Sequence, residues 1–485
     1  MQADEFRRHA HELVDWMADY LDGVSKLPVT PGVEPGDIAR RLPLSPPEQG
    51  EPFGQLFADF QSIVLPGMTH WNHPGWFAYF PGNNSPPSIL AEMLTATLGA
   101  QCMSWATSPA ATELEQVTMD WLRQMLGLPE TFVGVIQDTA STATLVALLS
   151  ARERSSGYAS GEQGMADVGR LTVYASAQTH SSVIKGVRLA GYGLDQLRLI
   201  PVDAAYAMRP EALAHAVSED LASGLRPACV VATIGTTSST AVDPLPAIGE
   251  VCRRHGTWLH VDAAYAGTAA IVPELRHYFD GLEQADSLVF NPHKWMLVNF
   301  DCSAYYVRDR QALLRTFSIT PEYLRTAQDQ QVVNFRDWGI QLGRRFRALK
   351  VWFVLRSYGV EGLRAMVRDH VALAQELAER IRRSSNFELM APVPFGLVCF
   401  RFHPSSARDP LVLDQLNREL LRRVNASGRV HLTHTELDGR FVIRMVIGQR
   451  LTTRQHVDEA WELIRRAARE LQGADEPGPV PLQKG

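Results

Sequence analysis

Residues 257–294 read TWLHVDAAYAGTAAIVPELRHYFDGLEQADSLVFNPHK, and this stretch decides the fold. Its two largely apolar runs, at 258–261 and 287–290, are short and end in polar residues, which predicts two buried strands of a mostly parallel sheet. Asp262 follows the first run and Lys294 follows the second. Because the carboxyl ends of parallel strands meet at one edge of a sheet, we expect both side chains at that edge, where α/β proteins place their chemistry.

Further apolar runs alternate with amphipathic segments before this stretch: VGVIQ near 133, LTVYAS near 171, LRLIPVD near 197 and ACVVATIG near 228. This alternation is typical of an α/β domain whose sheet is covered by helices on both faces, and we assign it to residues 86–360. The later runs FELMAPV, FGLVCFRF and GRFVIRMVIG predict a small α+β domain at 361–472. Residues 473–485 are expected to form a disordered tail.

The first 85 residues form a separate packing segment. Apolar residues recur at helical spacing from Phe6 to Leu21, which predicts an amphipathic helix that must bury its stripe against a neighbour. The proline- and glycine-rich stretch at 27–53 favours an extended path over an adjacent surface. A partner subunit is the neighbour that we expect for residues 1–85.

The composition excludes several classes of protein. The chain has 485 residues, of which 45% are hydrophobic and 21% are charged, as in a globular protein of two or three packed units. With 47 basic and 53 acidic residues the net charge is -6, which argues against a nucleic-acid partner. The five cysteines form no C-x-x-C pair, so we expect neither a disulfide framework nor a metal site. Because the start lacks a secretory pattern and no run of 18 apolar residues occurs, we expect a cytoplasmic enzyme with no membrane partner.

Four clusters carry candidate chemistry, and each has a structural alternative. Burial at a strand end depresses the pKa of the Lys294 amine and makes it a nucleophile for a carbonyl group, whereas the alternative is an ordinary surface lysine. Asp262 needs a cationic partner such as a protonated pyridine nitrogen, unless it caps a helix. The segment from Asp138 to Ser141 offers hydroxyl and N–H groups to a phosphate, although such residues cap most helices. The alternative for His180 is a capping or core histidine.

These clusters lie within longer motifs that identify a family. The sequence resembles the pyridoxal-phosphate-dependent group II amino-acid decarboxylases, of the aromatic-L-amino-acid decarboxylase type. The resemblance rests on HPGWFAYFP (73–81), SWATSPAATELE (104–115), GVIQDTASTATLVALL (134–149), ATIGTTSSTAVDPL (232–245), WLHVDAAYAG (258–267), FNPHKWMLVNFDCSAYYVRD (290–309) and LGRRFRALKVWFVLRSYG (342–359). It implies the α/β, fold-type I, aspartate-aminotransferase-like architecture and a homodimer with its active site at the subunit interface.

The resemblance also implies roles around a pyridoxal 5'-phosphate cofactor. Lys294 would attach the cofactor covalently, Asp262 would pair with its pyridinium nitrogen, and His180 would stack on its ring. The other positions that match cofactor contacts are Thr139, Ala140, Ser141, Thr233, Ala264, Asn291 and His293.

A second set of positions matches the substrate pocket of the family. These positions are Trp71, Tyr79, Phe80, Pro81, Gln101, Met103, His180 and Gly396. Gln101 and Met103 would reach into the partner's site. The glycine at 396 leaves room for an indole, so we expect tryptophan to be accepted along with tyrosine, phenylalanine or dopa.

The implied activity is decarboxylation of an aromatic L-amino acid to its amine and CO2. The α-carbon must then be protonated, and the family uses a tyrosine on a mobile loop as general acid. We assign that position to Phe335 in QDQQVVNFRDW (328–338). Because phenylalanine has no proton to give, an alternative function is an aromatic acetaldehyde synthase, which consumes O2 and releases aldehyde, ammonia and peroxide.

Other interpretations of the same loop stay open at this point. His180 or water would supply the proton, or Phe335 would be an engineered exchange. A noncatalytic homologue of the same fold is a further alternative, and the presence of Lys294, Asp262 and His180 together argues against it.

Overall fold

The computed structural model describes residues 1–319, 321–322, 325 and 328–473. At its centre lies one sheet whose strands are β1 Val133–Gln137, β2 Leu171–Ser176, β3 Leu197–Ile200, β4 Arg226–Thr233, β5 Trp258–Asp262, β6 Ser287–Phe290 and β7 Ser303–Val307. The strand order is β1-β7-β6-β5-β4-β2-β3. Strand β7 runs antiparallel to both neighbours and the other pairs are parallel, so the mostly parallel sheet predicted from the sequence is confirmed.

The central strands are apolar because both faces of the sheet are covered. Every residue of β2, β5, β6 and β7 is buried. Thr233 at the end of β4 lies opposite Asp262 at the end of β5, and Asp262 lies opposite Val289 on β6. The residues that follow these three strands therefore lie side by side at one edge of the sheet.

The N-terminal segment contains three helices, α1 Ala3–Gly23, α2 Asp37–Arg41 and α3 Phe53–Asp59. Helix α1 has the predicted amphipathic pattern, yet it buries none of its residues within this chain. Phe6 and Val14 on that helix are 60% and 42% exposed. Most of the proline-rich stretch lacks regular structure, as its composition predicts, although it contains the short helix α2.

The helices of the large domain cover both faces of the sheet. They are α4 Pro86–Leu98, α5 Pro109–Leu126, α6 Ala140–Ser155, α7 Ser160–Gln163, α8 Ser181–Leu189, α9 Pro210–Ala222, α10 Leu245–His255, α11 Pro292–Trp295 and α12 Arg310–Phe317. Three of them begin at a side chain that accepts a backbone N–H: Thr139 caps α6, His180 caps α8 and Asp309 caps α12.

The small domain is an antiparallel sheet with helices on it. Its elements are α13 Arg347–Arg382, β8 Phe387–Leu389, β9 Leu397–Phe402, α14 Pro410–Ala426, β10 Thr433–Leu437, β11 Arg440–Val446 and α15 Arg454–Gly473. The strand order is β10-β11-β9-β8. Helix α13 crosses the domain boundary predicted at 360, and it is kinked there because Gly359 has a positive φ of 64°.

Sequence analysis did not predict two of the strands, β7 and β10. Strand β7 lies inside a motif whose few apolar residues follow a polar turn, and β10 (THTEL) alternates polar residues at a sheet edge. The disordered tail is expected at 473–485; Gly473 instead ends α15, and residues 474–485 lie outside the described residues. Across the described chain, the model contains no helix with the length and apolar character that crossing a bilayer requires.

Candidate active site

Asp262 and Lys294 lie at the carboxyl edge of the large sheet. Asp262 ends β5, is 5% exposed, and its Oδ1 accepts a hydrogen bond of 2.9 Å from the N–H of Ala264. Lys294 follows β6 in the short helix α11, with its Nζ 5.4 Å from the ring centroid of Phe80. Burial lowers the pKa of Lys294, and the attraction of Asp262 opposes that effect. The amine therefore loses its proton more readily than an exposed lysine, which favours attack on a carbonyl group.

The start of α6 supplies the predicted anion site. Thr139 caps this helix by accepting a hydrogen bond from the N–H of Thr142 at 3.4 Å. The first N–H groups of a helix, here those of Ala140 and Ser141, have no partner within the helix, and the positive end of the helix dipole lies beside them. Ser141 is exposed, so these groups are accessible to a phosphate.

Asn291 and His293 follow β6, and hydrogen bonds from β7 tie their segment to the end of β1. Ser303 Oγ donates to Asn291 Oδ1 at 2.7 Å and to the Asp138 carbonyl at 3.4 Å, which holds the two segments together. His293 Nδ1 accepts the N–H of Cys302 at 2.8 Å, so the neutral ring carries its proton on Nε2. Burial lowers the pKa of His293 to about 3. His293 is therefore a neutral hydrogen-bond donor.

His180 is a helix cap and faces the same edge. The N–H of Ser182 donates to His180 Nδ1 at 3.2 Å, so the capping alternative is correct for this atom. The ring remains exposed and its neutral form carries a proton on Nε2. Desolvation lowers the pKa of His180, Asp262 raises it, and Lys294 lowers it further. His180 therefore responds to the charges of both Asp262 and Lys294.

The surroundings of Thr233 and Ala264 show whether a flat, phosphorylated pyridine ring fits the site. The Thr233 hydroxyl is buried and has no hydrogen-bond partner among the described residues. A buried hydroxyl without a partner is costly, so a polar ligand group at this point would stabilise the site. The small side chain of Ala264 leaves space beside Asp262. An amine, a carboxylate, an unpaired hydroxyl and an anion site at one edge fit pyridoxal phosphate.

An aromatic stack forms the wall beside Lys294. The rings of Phe80 and Tyr265 lie 3.9 Å apart and nearly parallel, and Tyr265 stacks on Trp295 at 4.8 Å. Tyr79 stacks on Trp71 at 5.7 Å, and both are about half exposed. Pro81 packs against Gly448, where an added Cβ would come within 2.9 Å of the proline ring. Phe80, Tyr265 and Trp295 are buried, so within this wall Tyr79 and Trp71 offer the planar apolar surface to an aromatic substrate.

Asn83 is a site residue that sequence analysis missed. Its Nδ2 donates to the carbonyl of Lys294 at 2.9 Å and to that of Gly448 at 2.7 Å, and its Oδ1 accepts the N–H of Arg450 at 2.9 Å. The residue is 1% exposed. In the sequence it lies in GNNSPP, which is typical of a turn, so no local signal identifies it.

Arg444 was also missed, although the sequence carries a signal for it. It is a charged residue in the apolar run FVIRMVIG of β11, and it is 3% exposed. Its guanidinium donates to the carbonyl of Thr237 at 2.7 Å and to Thr433 Oγ1 at 3.0 Å. Its Cζ lies 5.5 Å from the centroid of Phe80. Within the described chain no carboxylate pairs with this arginine.

Three further predicted substrate positions are Gly396, Gln101 and Met103. Gly396 faces the carbonyl of Ile447 and the hydroxyl of Tyr265, which would be 2.3 and 2.8 Å from an added Cβ. Gly396 therefore lies against Tyr265 rather than lining open space. Gln101 and Met103 accept hydrogen bonds from the segment 336–344 of the same chain.

Phe335 is not at the site, and the expectation for it is corrected. The ring is 2% exposed and packs in the core with Trp338 at a centroid distance of 5.4 Å. The guanidinium of Arg344 covers it at 4.7 Å. A side chain enclosed in this way has no path to a substrate α-carbon, so its lack of a hydroxyl carries no information about the proton donor.

Comparisons with known proteins agree with this geometry. Residues 35–403 match the family model described as the pyridoxal-dependent decarboxylase conserved domain. The aromatic-L-amino-acid decarboxylase of Cavia porcellus is 46% identical over 482 residues, which cover 96% of this chain and 98% of that protein. The phenylacetaldehyde synthase of Arabidopsis thaliana is 45% identical over 478 residues, 96% of each chain. A crystal structure of Oryza sativa TDC with PLP and tryptamine is similar with a TM-score of 0.94 at 41% identity, covering 97% of this chain and 99% of that one.

Proposed function

The chain belongs to the pyridoxal-dependent decarboxylases, of the aromatic-L-amino-acid decarboxylase type, and we propose that it converts aromatic L-amino acids to amines with release of CO2. The observation that carries this proposal is the juxtaposition of the desolvated Lys294 amine with Asp262 beside the unpartnered hydroxyl of Thr233. Pyridoxal phosphate is the cofactor, and when bound it accepts the electron pair that the departing carboxylate leaves behind.

Each residue of the edge has a task in binding the cofactor. Lys294 would hold it covalently, and the carboxylate of Asp262 would keep the ring nitrogen protonated. The first N–H groups of α6, with Asn291 and the Nε2–H of His293, would hold the phosphate. Since His293 is neutral, it adds a hydrogen bond there without adding charge.

His180 would pack its ring against the cofactor ring. Its lowered pKa keeps the imidazole neutral at pH 7. A neutral ring avoids placing another positive charge beside the Lys294 amine. The capping bond from Ser182 fixes the orientation of the ring and leaves Nε2–H available to the substrate.

The substrate class follows from the aromatic wall. Tyr79 and Trp71 present exposed planar apolar surface that would bind an indole or a phenol ring by stacking, next to the buried Phe80. The similar structure from Oryza sativa was solved with tryptamine, the amine of tryptophan. We therefore propose tryptophan and smaller aromatic L-amino acids as substrates.

Amine rather than aldehyde is the product that we propose. The aldehyde alternative depended on Phe335, which is enclosed in the core, although an aldehyde synthase is among the relatives of this chain. The sequence from 318 to 338 contains one tyrosine, Tyr323, which lies outside the described residues. A phenol is the only group of that type which this stretch offers as a general acid, so we assign the proton donation to Tyr323.

A homodimer with a shared site is supported by the exposed apolar surface of the single chain. Helix α1 buries none of its residues. Helix α4 exposes Leu90, Leu94 and Leu98 by 53%, 47% and 65%. Apolar surface on this scale is typical of an interface between subunits. We propose that residues 1–85 pack on a partner and that Gln101 and Met103 reach the partner's substrate pocket.

A cytoplasmic location is consistent with the cysteines. All five are buried and free in the structure. Cytosolic proteins keep their thiols reduced, whereas secreted proteins commonly pair them. We propose the cytoplasm as the compartment on this basis.

The function is tested with Lys294→Ala and the matched variant Lys26→Ala, which removes an exposed lysine. Purified proteins are loaded with pyridoxal phosphate, and visible absorbance and CO2 release from tryptophan are measured. We expect the first variant to lose both signals, with turnover below about a hundredth of wild type, because no other amine can replace Lys294. The second variant should retain both. Turnover by Lys294→Ala at the wild-type rate would contradict the assignment.

A further inference from the structure

Arg344 is the centre of a hydrogen-bond network outside the Lys294 site. Its side chain is 6% exposed and forms a salt bridge of 2.6 Å with the equally buried Glu115. The same Nη2 donates to the carbonyl of Ile136 at 2.9 Å. A buried pair whose donors and acceptors are satisfied is geometrically demanding, so it fixes the segments that carry it relative to one another.

The network protects the edge of the large sheet. Strand β1 is an edge strand, and the N–H of Ile136 points away from its neighbour β7. Glu115 Oε1 accepts this N–H at 2.9 Å, while Arg344 binds the carbonyl of the same residue. The ion pair therefore replaces a missing neighbouring strand at this position.

The same arginine binds the segment 101–103 at three points. Its backbone N–H donates to Gln101 Oε1 at 2.7 Å, and its carbonyl accepts the N–H of Cys102 at 2.9 Å. Its Nη1 also donates to the Cys102 carbonyl at 3.3 Å. The N–H of Arg336 adds a bond of 2.9 Å to the carbonyl of Met103. Every residue of the segment 101–103 is thus attached to the stretch 336–344.

Phe335 belongs to this network as its apolar part. The guanidinium of Arg344 lies over its ring, and Trp338 packs against the ring edge. The neighbouring Asn334 accepts the N–H of Trp105 at 3.0 Å, which ties the far end of the same segment. Stacking on an aromatic face and a bidentate reach are properties of arginine that lysine lacks.

We propose that Arg344 is a positioning residue: its side chain holds the stretch 336–344 against Glu115, Ile136 and Cys102, so that the main-chain bonds of this stretch fix Gln101 and Met103 and thereby shape the substrate pocket of the opposite subunit. This inference rests on the proposed function and its shared site. Among the described residues, Arg344 makes no direct hydrogen bond to any residue proposed to hold the cofactor. The defect should therefore appear in KM for the aromatic substrate and in the ratio of tryptophan to tyrosine turnover, while kcat and cofactor absorbance change little.

The decisive experiment compares two mixed dimers, purified by different affinity tags. In the first, one subunit carries Arg344→Met with Lys294→Ala and the other is unchanged, so the single working lysine faces a segment 101–103 from the altered subunit. In the second, one subunit carries Arg344→Met and the other Lys294→Ala, so the working lysine faces an unaltered segment. We expect KM to rise about tenfold in the first dimer and to equal the wild-type value in the second.

The outcomes separate this inference from the proposed function. A wild-type KM in the first dimer, or the same raised KM in both, would overturn the role of Arg344. A dimer of wild-type and Lys294→Ala chains that releases no CO2 from any aromatic amino acid would instead overturn the proposed function.

Matched variants control for misfolding. Arg345→Met removes the adjacent, exposed arginine and should leave KM unchanged. Because Arg344→Met leaves the buried carboxylate of Glu115 unpaired, the double variant Arg344→Met/Glu115→Gln is made in parallel. Arg344→Lys keeps the charge but not the stacking and the second bond, so we expect partial rescue of KM. Full rescue by lysine would reduce the role of Arg344 to charge alone and overturn the positioning argument.

Discussion

The backbone N–H of Thr233 donates a hydrogen bond of 2.7 Å to Oδ2 of Asp243, a fully buried carboxylate. The other oxygen of Asp243 accepts the N–H of Met208, also at 2.7 Å. Asp243 therefore holds the end of β4 next to Asp262 without a cationic partner of its own. Burial raises the pKa of Asp243 to about 6, against the opposing effect of these two N–H groups.

This buried carboxyl gives stability a definite pH dependence. Because its pKa is higher in the folded than in the unfolded chain, the folded protein retains a proton that the unfolded chain has released, and the free energy of unfolding falls as pH rises from about 4 to about 6. Across this range the ionisation of Asp243 lowers the free energy of unfolding by about 3 kcal/mol in total. Asp243→Asn cannot ionise, so the difference in unfolding free energy between wild type and variant should change across this range and level off above it. Denaturant unfolding at several pH values measures this, with the exposed Asp280→Asn as the control. Parallel curves for wild type and Asp243→Asn would contradict the prediction.

Asp262→Asn should separate cofactor binding from chemistry. The amide keeps an oxygen for the N–H of Ala264 but lacks the negative charge that holds a proton on the ring nitrogen. We expect the cofactor to remain bound while the rate of CO2 release falls by about a thousandfold. Absorbance spectra and single-turnover measurements with tryptophan check both parts. An unchanged rate would show that another group holds the nitrogen.

The two aromatic residues of the stretch 318–338 that bear on the product should behave in opposite ways. Phe335→Tyr places a hydroxyl among Trp338 and Arg344 in the core, which should lower stability by about 1–3 kcal/mol and leave the ratio of amine to aldehyde unchanged. Tyr323→Phe removes the proposed proton donor and should increase O2 uptake and aldehyde yield. An oxygen electrode with quantification of both products distinguishes them. If wild type consumes O2 in step with CO2 release, the assignment of amine as the main product is wrong.

Gly396→Ser tests whether the side chain at position 396 influences substrate selection. The new Cβ would meet the carbonyl of Ile447 and the hydroxyl of Tyr265, so the variant should lose about 1–3 kcal/mol of stability. Since Tyr265 stacks on Phe80, its displacement should alter the ratio of tryptophan to tyrosine turnover. Adding Tyr265→Phe removes the hydroxyl and should bring the ratio of tryptophan to tyrosine turnover part of the way back to the wild-type value. If the ratio of tryptophan to tyrosine turnover stays at the wild-type value in both variants, Gly396 has no role in substrate selection.

The sequence predicted the parts of the site that depend on strand ends. Asp262 and Lys294 each follow a buried apolar run, and the alignment of parallel strands places such residues together. Phe335 was misassigned because a loop has no periodicity to fix its register. The contact that buries it comes from Arg344, which itself pairs with Glu115, 229 residues away in the chain. Asn83 bridges three distant backbones, and no local pattern encodes that geometry.

The buried charge of Arg444 would act differently on the amino-acid substrate and on the amine product. Its guanidinium sits on one side of the Phe80 ring while the Lys294 amine sits 5.4 Å from the same ring, and no carboxylate in the described chain neutralises Arg444. An amino acid enters as a zwitterion, whose carboxylate a buried positive charge attracts. Once CO2 has left, the product is a plain cation and experiences repulsion from the same charge. In the proposed reaction, loss of the carboxylate would therefore turn the attraction exerted by Arg444 into repulsion, which would promote release of the product.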